Sequence, residues 1–397
     1  MSVFADLTAG VNAVRPGRTH LPNFDGLLAL CLTALVLFGV LMVYSASIAL
    51  PDNPRFANFG RYDFALRHGL YLLLGVLALA ATLAIPMTVW HKLAAPLFLA
   101  SLALLVLVLI PGIGFEANGA RRWLRLGGIS FQPSELMKVA VLLFAAAYTA
   151  GKQAYLQNFL RGFVPMACAL GVVGILLLLE PDLGAFMVVV GIAIGLLFIG
   201  GINGKLFASL SAVLVGSFGL LIWLSPWRRE RIFAYLDPWN PDNVFGSAYQ
   251  LSHSLIALGR GEWLGVGLGA SIEKLHYLPE AHTDFILAVI GEELGFVGVC
   301  ALLALFAYVI WRGFDIGRQA IAMERIFSGL VAQGVALWLG MQTFINMGMC
   351  MGLLPTKGLT LPLVSYGGSG LVMNFVAAGL LLRVDFERRT MMRGGRT

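Results

Sequence analysis

The sequence predicts an all-α, polytopic integral membrane protein of about ten transmembrane helices, with a large extracytoplasmic loop between spans 7 and 8. Two observations carry the class. Hydrophobic residues make up 59% of the 397 and charged residues 12%, against roughly 25% charged in a soluble domain. The apolar residues also come in blocks of about 18–25, the length that crosses a bilayer at about 1.5 Å per residue. A third observation sets the orientation. Arg383, Arg388, Arg389, Arg393 and Arg396 form the densest basic cluster, and basic residues stay on the cytoplasmic side.

The blocks lie near 26–47, 68–86, 92–111, 134–150, 162–179, 184–200, 206–224, 284–311, 326–349 and 365–383. An even number returns the chain to its starting side, so both termini are cytoplasmic. The short connectors holding His91, Lys92, Lys152, Lys205 and the stretch from Arg312 to Arg325 agree with that side. Residues 1–25 carry Arg15, Arg18 and His20 but no cleavable apolar core, so they read as a cytoplasmic tail. Residues 384–397 read as a second tail, and 1–397 as one membrane domain. The net charge of +6 belongs to the cytoplasmic loops. No Lys/Arg run is dense enough to argue for nucleic acid. Cys31, Cys168, Cys300 and Cys350 sit inside apolar blocks without paired or metal-like spacing and read as small buried hydrophobes.

On this topology the outer face carries the unusual sequence: 112–133, the turn Glu180-Pro181-Asp182-Leu183-Gly184, the segment 350–370 and the long loop 225–283. A loop of that length in a compact protein is usually functional. Its Trp227, Phe233, Tyr235, Trp239 and Trp263 suggest helices lying against the headgroups. No repeat and no soluble domain is evident.

Ionisable groups near a membrane need a partner or a role. Asp284 opens the eighth span, with Ala288, Gly291 and Gly295 beneath it on one helical stripe. Either another helix packs on that bare stripe, or it floors a cavity headed by a carboxylate; Asp284 itself also suits a helix N-terminus. Gln132, Pro133, Ser134 and Glu135 open the fourth span, and Lys138 follows Glu135 three residues later on the same face. The pair reads as a structural ion pair or as a lysine reaching a phosphate while Glu135 holds it. Arg121, Arg122 and Trp123 place two guanidiniums beside an aromatic, suited to phosphate or to headgroup anchoring. The Gly/Pro/Ser/Thr-rich stretch around Lys357, Pro362, Ser365, Tyr366 and Ser369 predicts a re-entrant loop, because such backbone at membrane depth must be buried in protein or line a watery cavity. Lys357 and the hydroxyls there suit an anionic headgroup. His68, His91 and His253 have no ligand-like spacing and read as surface or interface residues. His276 and His282, near Glu280 and Asp284, read as a hydrogen-bonded loop or a cation site.

Seven segments in order resemble the SEDS family (shape, elongation, division and sporulation), the FtsW/RodA group, across essentially the whole chain. They are 41–47, 119–123, 132–135, 181–184, 274–284, 291–295 and 362–368. The segments 278–284 and 354–360 look more like the division branch. Two positions depart: Glu180, where relatives often have Gln, and His276, where some division homologues place an acid.

The resemblance implies a peptidoglycan glycosyltransferase that polymerises lipid II, an undecaprenyl-diphosphate disaccharide pentapeptide, at the outer face of the bacterial inner membrane, at the division septum. It implies a class B penicillin-binding protein as transpeptidase partner, with other division proteins, and membrane lipid around the chain. Asp284 is then expected as the catalytic base. Arg121, Arg122, Trp123, Gln132, Glu135, Lys138, Glu280, His282, Lys357, Ser365 and Tyr366 are expected as substrate contacts. No protein metal site is expected; a divalent cation, Mg or Mn, is the one cofactor the chemistry invites. A lipid II flippase and a non-catalytic scaffold recruiting the transpeptidase are the competing readings, and internal repeats or a midplane charge pair that would favour transport are missing from the sequence.

Overall fold

The computed structural model describes residues 24–53, 59–60, 62–117, 119–127 and 129–395. Most of the N-terminal tail, with Arg15, Arg18 and His20, lies outside the described residues, as does Arg396.

Asp25 caps the first helix, α1 (Gly26–Ser47), by accepting from the Leu28 amide at 3.1 Å. Then come α2 (Asp63–Ala84) and α3 (Met87–Leu109). The outer segment that follows departs from the all-α expectation. It folds as a three-stranded antiparallel sheet, β1 (Gly114–Ala117), β2 (Ala120–Leu126) and β3 (Ile129–Phe131), in the order β1-β2-β3. The alternation Arg121, Trp123, Arg125 is a strand signal with period two.

Pro133 then sits in the first turn of α4 (Pro133–Gly151), where its missing N–H costs nothing. The chain continues through α5 (Val164–Leu179), α6 (Leu183–Ile199, capped by Asp182) and α7 (Gly204–Trp223, capped by Asn203). Residues 225–283 form α8 (Pro226–Leu236), the short α9 (Pro241–Val244), α10 (Tyr249–Gly261) and an irregular strap to residue 285. Three long helices close the bundle: α11 (Ile286–Ala322), α12 (Ile326–Cys350) and α13 (Gly368–Met392).

Among the described residues, eight helices are long and apolar enough to cross a membrane, and two shorter apolar helices, Leu183–Ile199 and Gly204–Leu214, stand where spans six and seven are expected. The chain is a multi-pass membrane protein. The predicted tail 384–397 is largely helical instead, because α13 runs on to Met392 with Arg388 and Arg389 buried in ion pairs. Cys31 and Cys350 are buried as expected, but Cys168 and Cys300 lie exposed on the outside of the bundle.

The eighth span also differs. Asp284 lies before the helix, which starts at Ile286, so it does not head a helical stripe. At Gly295 the backbone leaves helical geometry (φ 67°, ψ −166°), and the strap after α10 fills the break. Val266 N–H donates to Glu292 O at 2.9 Å and Gly267 N–H to Glu293 O at 3.1 Å. Phe296 N–H donates to Glu262 O at 2.9 Å and Val297 N–H to Trp263 O at 3.1 Å. These four bonds give partners to backbone groups freed by the break, as an apolar setting demands. Two glycines permit the approach: a Cβ on Gly261 would lie 1.8 Å from Gly291 O, and one on Gly265 (φ +81°) 2.2 Å from Glu293 O. The bare stripe therefore serves close packing, not a cavity floor.

Part of the long loop is accordingly built into the bundle instead of resting on its rim. Two buried carboxylates hold it there. Glu292 accepts from Arg260 (2.7 Å), Ser271 and the amides of Ile272 and Glu273. Glu293 takes Lys274 Nζ at 2.6 Å and Ser45 Oγ at 2.7 Å. Phe233, Trp239 and Trp263 do remain exposed, as interfacial residues would be. Tyr235 instead donates its hydroxyl to Leu353 O at 2.9 Å. The side chain of Trp227 is outside the described residues.

Candidate active site

Between α12 and α13, residues 351–367 carry no helix, yet Leu359, Leu361, Leu363, Val364 and Ser365 are buried. Irregular backbone enclosed by protein is what the re-entrant reading expects. Two side chains of α12 hold it. Asn346 Nδ2 donates to Asp284 O at 2.8 Å and to Leu359 O at 2.6 Å. Gln342 Nε2 donates to Thr360 O at 2.9 Å, while its Oε1 accepts from Trp338 Nε1 at 2.8 Å and Lys138 Nζ at 3.3 Å. Sequence reasoning passed over both. Trp338, Gln342 and Asn346 recur every four residues, one stripe of a helix, and amides inside an apolar span were the signal.

Asp284 sits where these tethers meet. A Cβ on Gly358 would lie 3.3 Å from Asp284 Oδ2, so the re-entrant backbone passes directly over the carboxylate. Among the described residues, that carboxylate has no hydrogen-bond or ion-pair partner; only its main-chain oxygen is engaged. The residue is neither buried nor exposed. Burial nevertheless pushes its carboxyl up to about 7, Glu280 adds to the rise, and Arg122 opposes it. A carboxyl crowded by protein yet open to solvent lies at the floor of a crevice.

Arg121 and Arg122 do not act as a pair. Neighbouring residues on a strand point to opposite faces. Arg121 turns to Glu116 at 3.2 Å and Leu109 O at 3.5 Å, on the same side as Trp123, away from Asp284. Arg122 turns inward and donates Nε–H to Glu180 O at 2.9 Å and an Nη2 hydrogen to Pro181 O at 2.5 Å. The same turn is held from α4. Asp182 accepts from Ser134 Oγ at 2.9 Å and Gln132 Nε2 at 3.0 Å, and Gln132 N–H donates to Ser369 Oγ at 3.0 Å.

Lys138 does not reach toward a phosphate. It is fully buried, 2.6 Å from Glu135, and lies over the Trp338 ring. Glu135 keeps slight exposure and faces Gly370. Ser365 Oγ accepts from the Leu361 amide at 2.8 Å and so shapes the loop. Lys357 is half-buried next to Gly358, its amide 3.0 Å from Met349 Sδ.

His282 and Tyr366 meet at 5.4 Å between ring centroids, with Phe64 and His68 beside them. His68 is thus buried, not a surface residue. His282 Nδ1 has no partner, and burial holds its imidazole below the usual range against the pull of Glu280. Glu280 is exposed, accepts from Thr283 Oγ1 at 2.7 Å, and takes a left-handed φ of 58°. Leu363 is left-handed too, at 62°. Such backbone strain clusters where structure is held for function. His253 pairs with Glu273 at 2.7 Å, and His276 is exposed. Among the described residues, no group of three or more His, Cys, Asp or Glu side chains is placed to hold a metal ion.

The arrangement is a polar crevice at one end of an apolar bundle. Asp284 lies at its floor with Gly358 over it, and Glu280 and Arg122 act on its charge. An open concavity of about 500 Å³ at Glu262, Trp263 and Phe296 lies at the Gly295 break, apart from this chemistry.

The cell cycle protein family of FtsW, RodA and SpoVE matches residues 25–390 of the chain. A probable peptidoglycan glycosyltransferase FtsW of Burkholderia thailandensis is 60% identical over 390 residues, covering 98% of this chain and 84% of that one. One from Polynucleobacter necessarius is 53% identical, covering 98% and 92%. Among solved structures, a chain of a peptidoglycan synthase complex that coordinates polymerization and crosslinking superposes with a TM-score of 0.74 at 31% identity, covering 92% of this chain and 98% of that chain. The rod shape determining protein RodA of Thermus thermophilus gives 0.65 at 30% identity, covering 92% and 99%.

Proposed function

The chain belongs to the FtsW, RodA and SpoVE family of cell cycle proteins, and from that premise we propose how it works as a peptidoglycan glycosyltransferase. It polymerises lipid II into glycan strands at the outer face of the cytoplasmic membrane, at the division septum, with both of its own termini inside. A class B penicillin-binding protein crosslinks the product. The observation that carries this reading is the Asp284 carboxyl, unpartnered among the described residues, held beneath Gly358 and pushed up to about 7 by burial.

Asp284 takes the proton from the 4-hydroxyl of the acceptor's N-acetylglucosamine. That oxygen forms a bond to the anomeric carbon of the donor's N-acetylmuramic acid. The bond from that carbon to the diphosphate oxygen breaks, and its electron pair leaves with undecaprenyl diphosphate. An α-linked donor yields a β-linked strand by one inversion, so no covalent enzyme intermediate is needed. General-base catalysis of this kind contributes about 10²–10⁴-fold. Arg122, aimed into the crevice, faces the charge developing on the leaving group. Gln132, Asp182 and Ser369 fix the turn that Arg122 grips. Glu135 and Lys138 hold Gln342, and through it the re-entrant loop, so their role is structural support. Among the described residues, no three His, Cys, Asp or Glu side chains are placed to cage Mg or Mn.

The test is polymerisation by the purified chain, reconstituted with its class B partner and lipid II, with Asp284→Ala alongside and products resolved on a gel. Polymer from the wild type alone is expected. Flipping of labelled lipid II without polymer would transfer the function to transport. Partner binding without either activity would make the chain a scaffold.

A further inference from the structure

Glu180 is fully buried, and neither of its carboxyl oxygens has a hydrogen-bond partner. An ionised carboxylate left bare in such a place is strongly disfavoured, because burial removes its water and no partner replaces it. A guanidinium lies close by, yet Arg122 gives Nε–H and an Nη2 hydrogen to the carbonyls of Glu180 and Pro181, not to the carboxylate. The charged groups facing Glu180 are Arg122 from β2 and Asp182 from its own turn. Burial pushes the acid up to about 8, Asp182 adds to the rise, and Arg122 resists it. Arg122 is also the cation that acts on Asp284. One guanidinium therefore stands between two raised carboxyls, tethered by main chain and discharged by neither.

We propose that Glu180 is a positioning residue for glycosyl transfer, a carboxylic acid kept neutral so that Arg122 presents its full charge to the anionic diphosphate. This rests on the glycosyltransferase reading above. Ionising Glu180 would place a negative charge beside Arg122 and weaken its hold on the donor. As pH rises, Asp284 first loses its proton and becomes a competent base. Glu180 ionises next and the site weakens. The rate against pH is a bell with its falling side set by Glu180.

Two measurements test this on the full chain in complex with its partner. In the first, initial polymerisation rates at subsaturating lipid II are followed against pH for wild type and Glu180→Gln, which has the shape of the neutral acid and cannot ionise. The falling limb should move up by at least about one unit, making the ratio of rates at about pH 9 to about pH 7.5 roughly tenfold larger in the variant. Superimposable falling limbs overturn the proposal. In the second, wild-type protein is treated with a hydrophobic carbodiimide, which couples to protonated carboxyls in apolar surroundings, and the Glu180 peptide is read by mass spectrometry. An adduct that forms at about pH 6.5 and fades through about pH 8 is expected from an acid raised this far. No adduct at either pH overturns the proposal even if the variant does not fold. An adduct in a wild type that makes no polymer would overturn the glycosyltransferase reading, and the positioning role with it, while leaving the neutral acid established.

Discussion

At the end of the bundle opposite the crevice, Asp25, Arg312, Asp315, Asp385, Arg388 and Arg389 are woven into one network. Arg389 binds Asp385 at 2.8 Å and Asp25 at 3.2 Å, Arg312 binds Asp25 at 2.5 Å, and Arg388 binds Asp385 and Gln319. Every carboxylate of that network has a cation, and among its described buried atoms only Arg388 Nε is left over. At the Asp284 end polar groups gather too, but the pairing is different. Among the described residues, Asp284 has no partner, and both Glu180 oxygens, His282 Nδ1 and Asn346 Oδ1 are bare. Buried polar groups in a structural network satisfy one another. Bare and perturbed ones gather at functional sites, so the difference in pairing marks the Asp284 end as the candidate site.

The largest expected effect sharpens that contrast. Asp284→Asn should lower polymerisation by about 10²–10⁴-fold with no loss of thermal stability, since the carboxylate holds nothing in place. Equal polymer from the variant would move the base to another group, Glu280 first. At the other end Asp385→Asn should do the reverse. Removing one member of a buried ion network destabilises by about 3–5 kcal/mol, read as a lower melting midpoint in detergent, while the folded fraction keeps its specific activity. Loss of activity at unchanged stability would break the comparison.

The third expectation is a pH effect. Asp284 acts as a base only when ionised, and burial pushes its carboxyl up to about 7, so the rate should climb about tenfold per unit below that value, up to the maximum from which the Glu180 limb falls. A rising limb centred near 4 would mean an ordinary carboxylate. The smallest effect separates two adjacent arginines. Arg121→Ala should leave polymerisation within about threefold, because its half-exposed pair with Glu116 contributes about 0–1 kcal/mol. Arg122→Ala should raise KM for lipid II at least about tenfold, since its cation faces the leaving group. Equal losses would mean that both side chains reach the donor.

Much of this was legible in the order of residues. Membrane helices are long local runs of apolar side chains, and a run can be counted without knowing its neighbours. The positions of Asp284, Gln132, Arg122 and the re-entrant loop were readable too, because polar groups and glycines stand out against an apolar background. Gln342 and Asn346 carried the same signal and were missed among the apolar residues of their span. The small sheet was missed because Arg121, Arg122 and Trp123 were read as a cluster in space, when strand alternation sends adjacent residues to opposite faces.

What the sequence determined by itself, then, is the membrane class, the approximate spans and the family, all properties of short stretches. The tertiary structure alone decided which charges are spent on one another. Lys138 is consumed by Glu135 and Gln342, Lys274 by Glu293, and Arg388 and Arg389 by Asp385. Asp284 and Glu180 are left bare. Those outcomes depend on distances between segments far apart in the chain and on how little water reaches them, because burial sets both the strength of an ion pair and the energetic penalty of an unpaired charge.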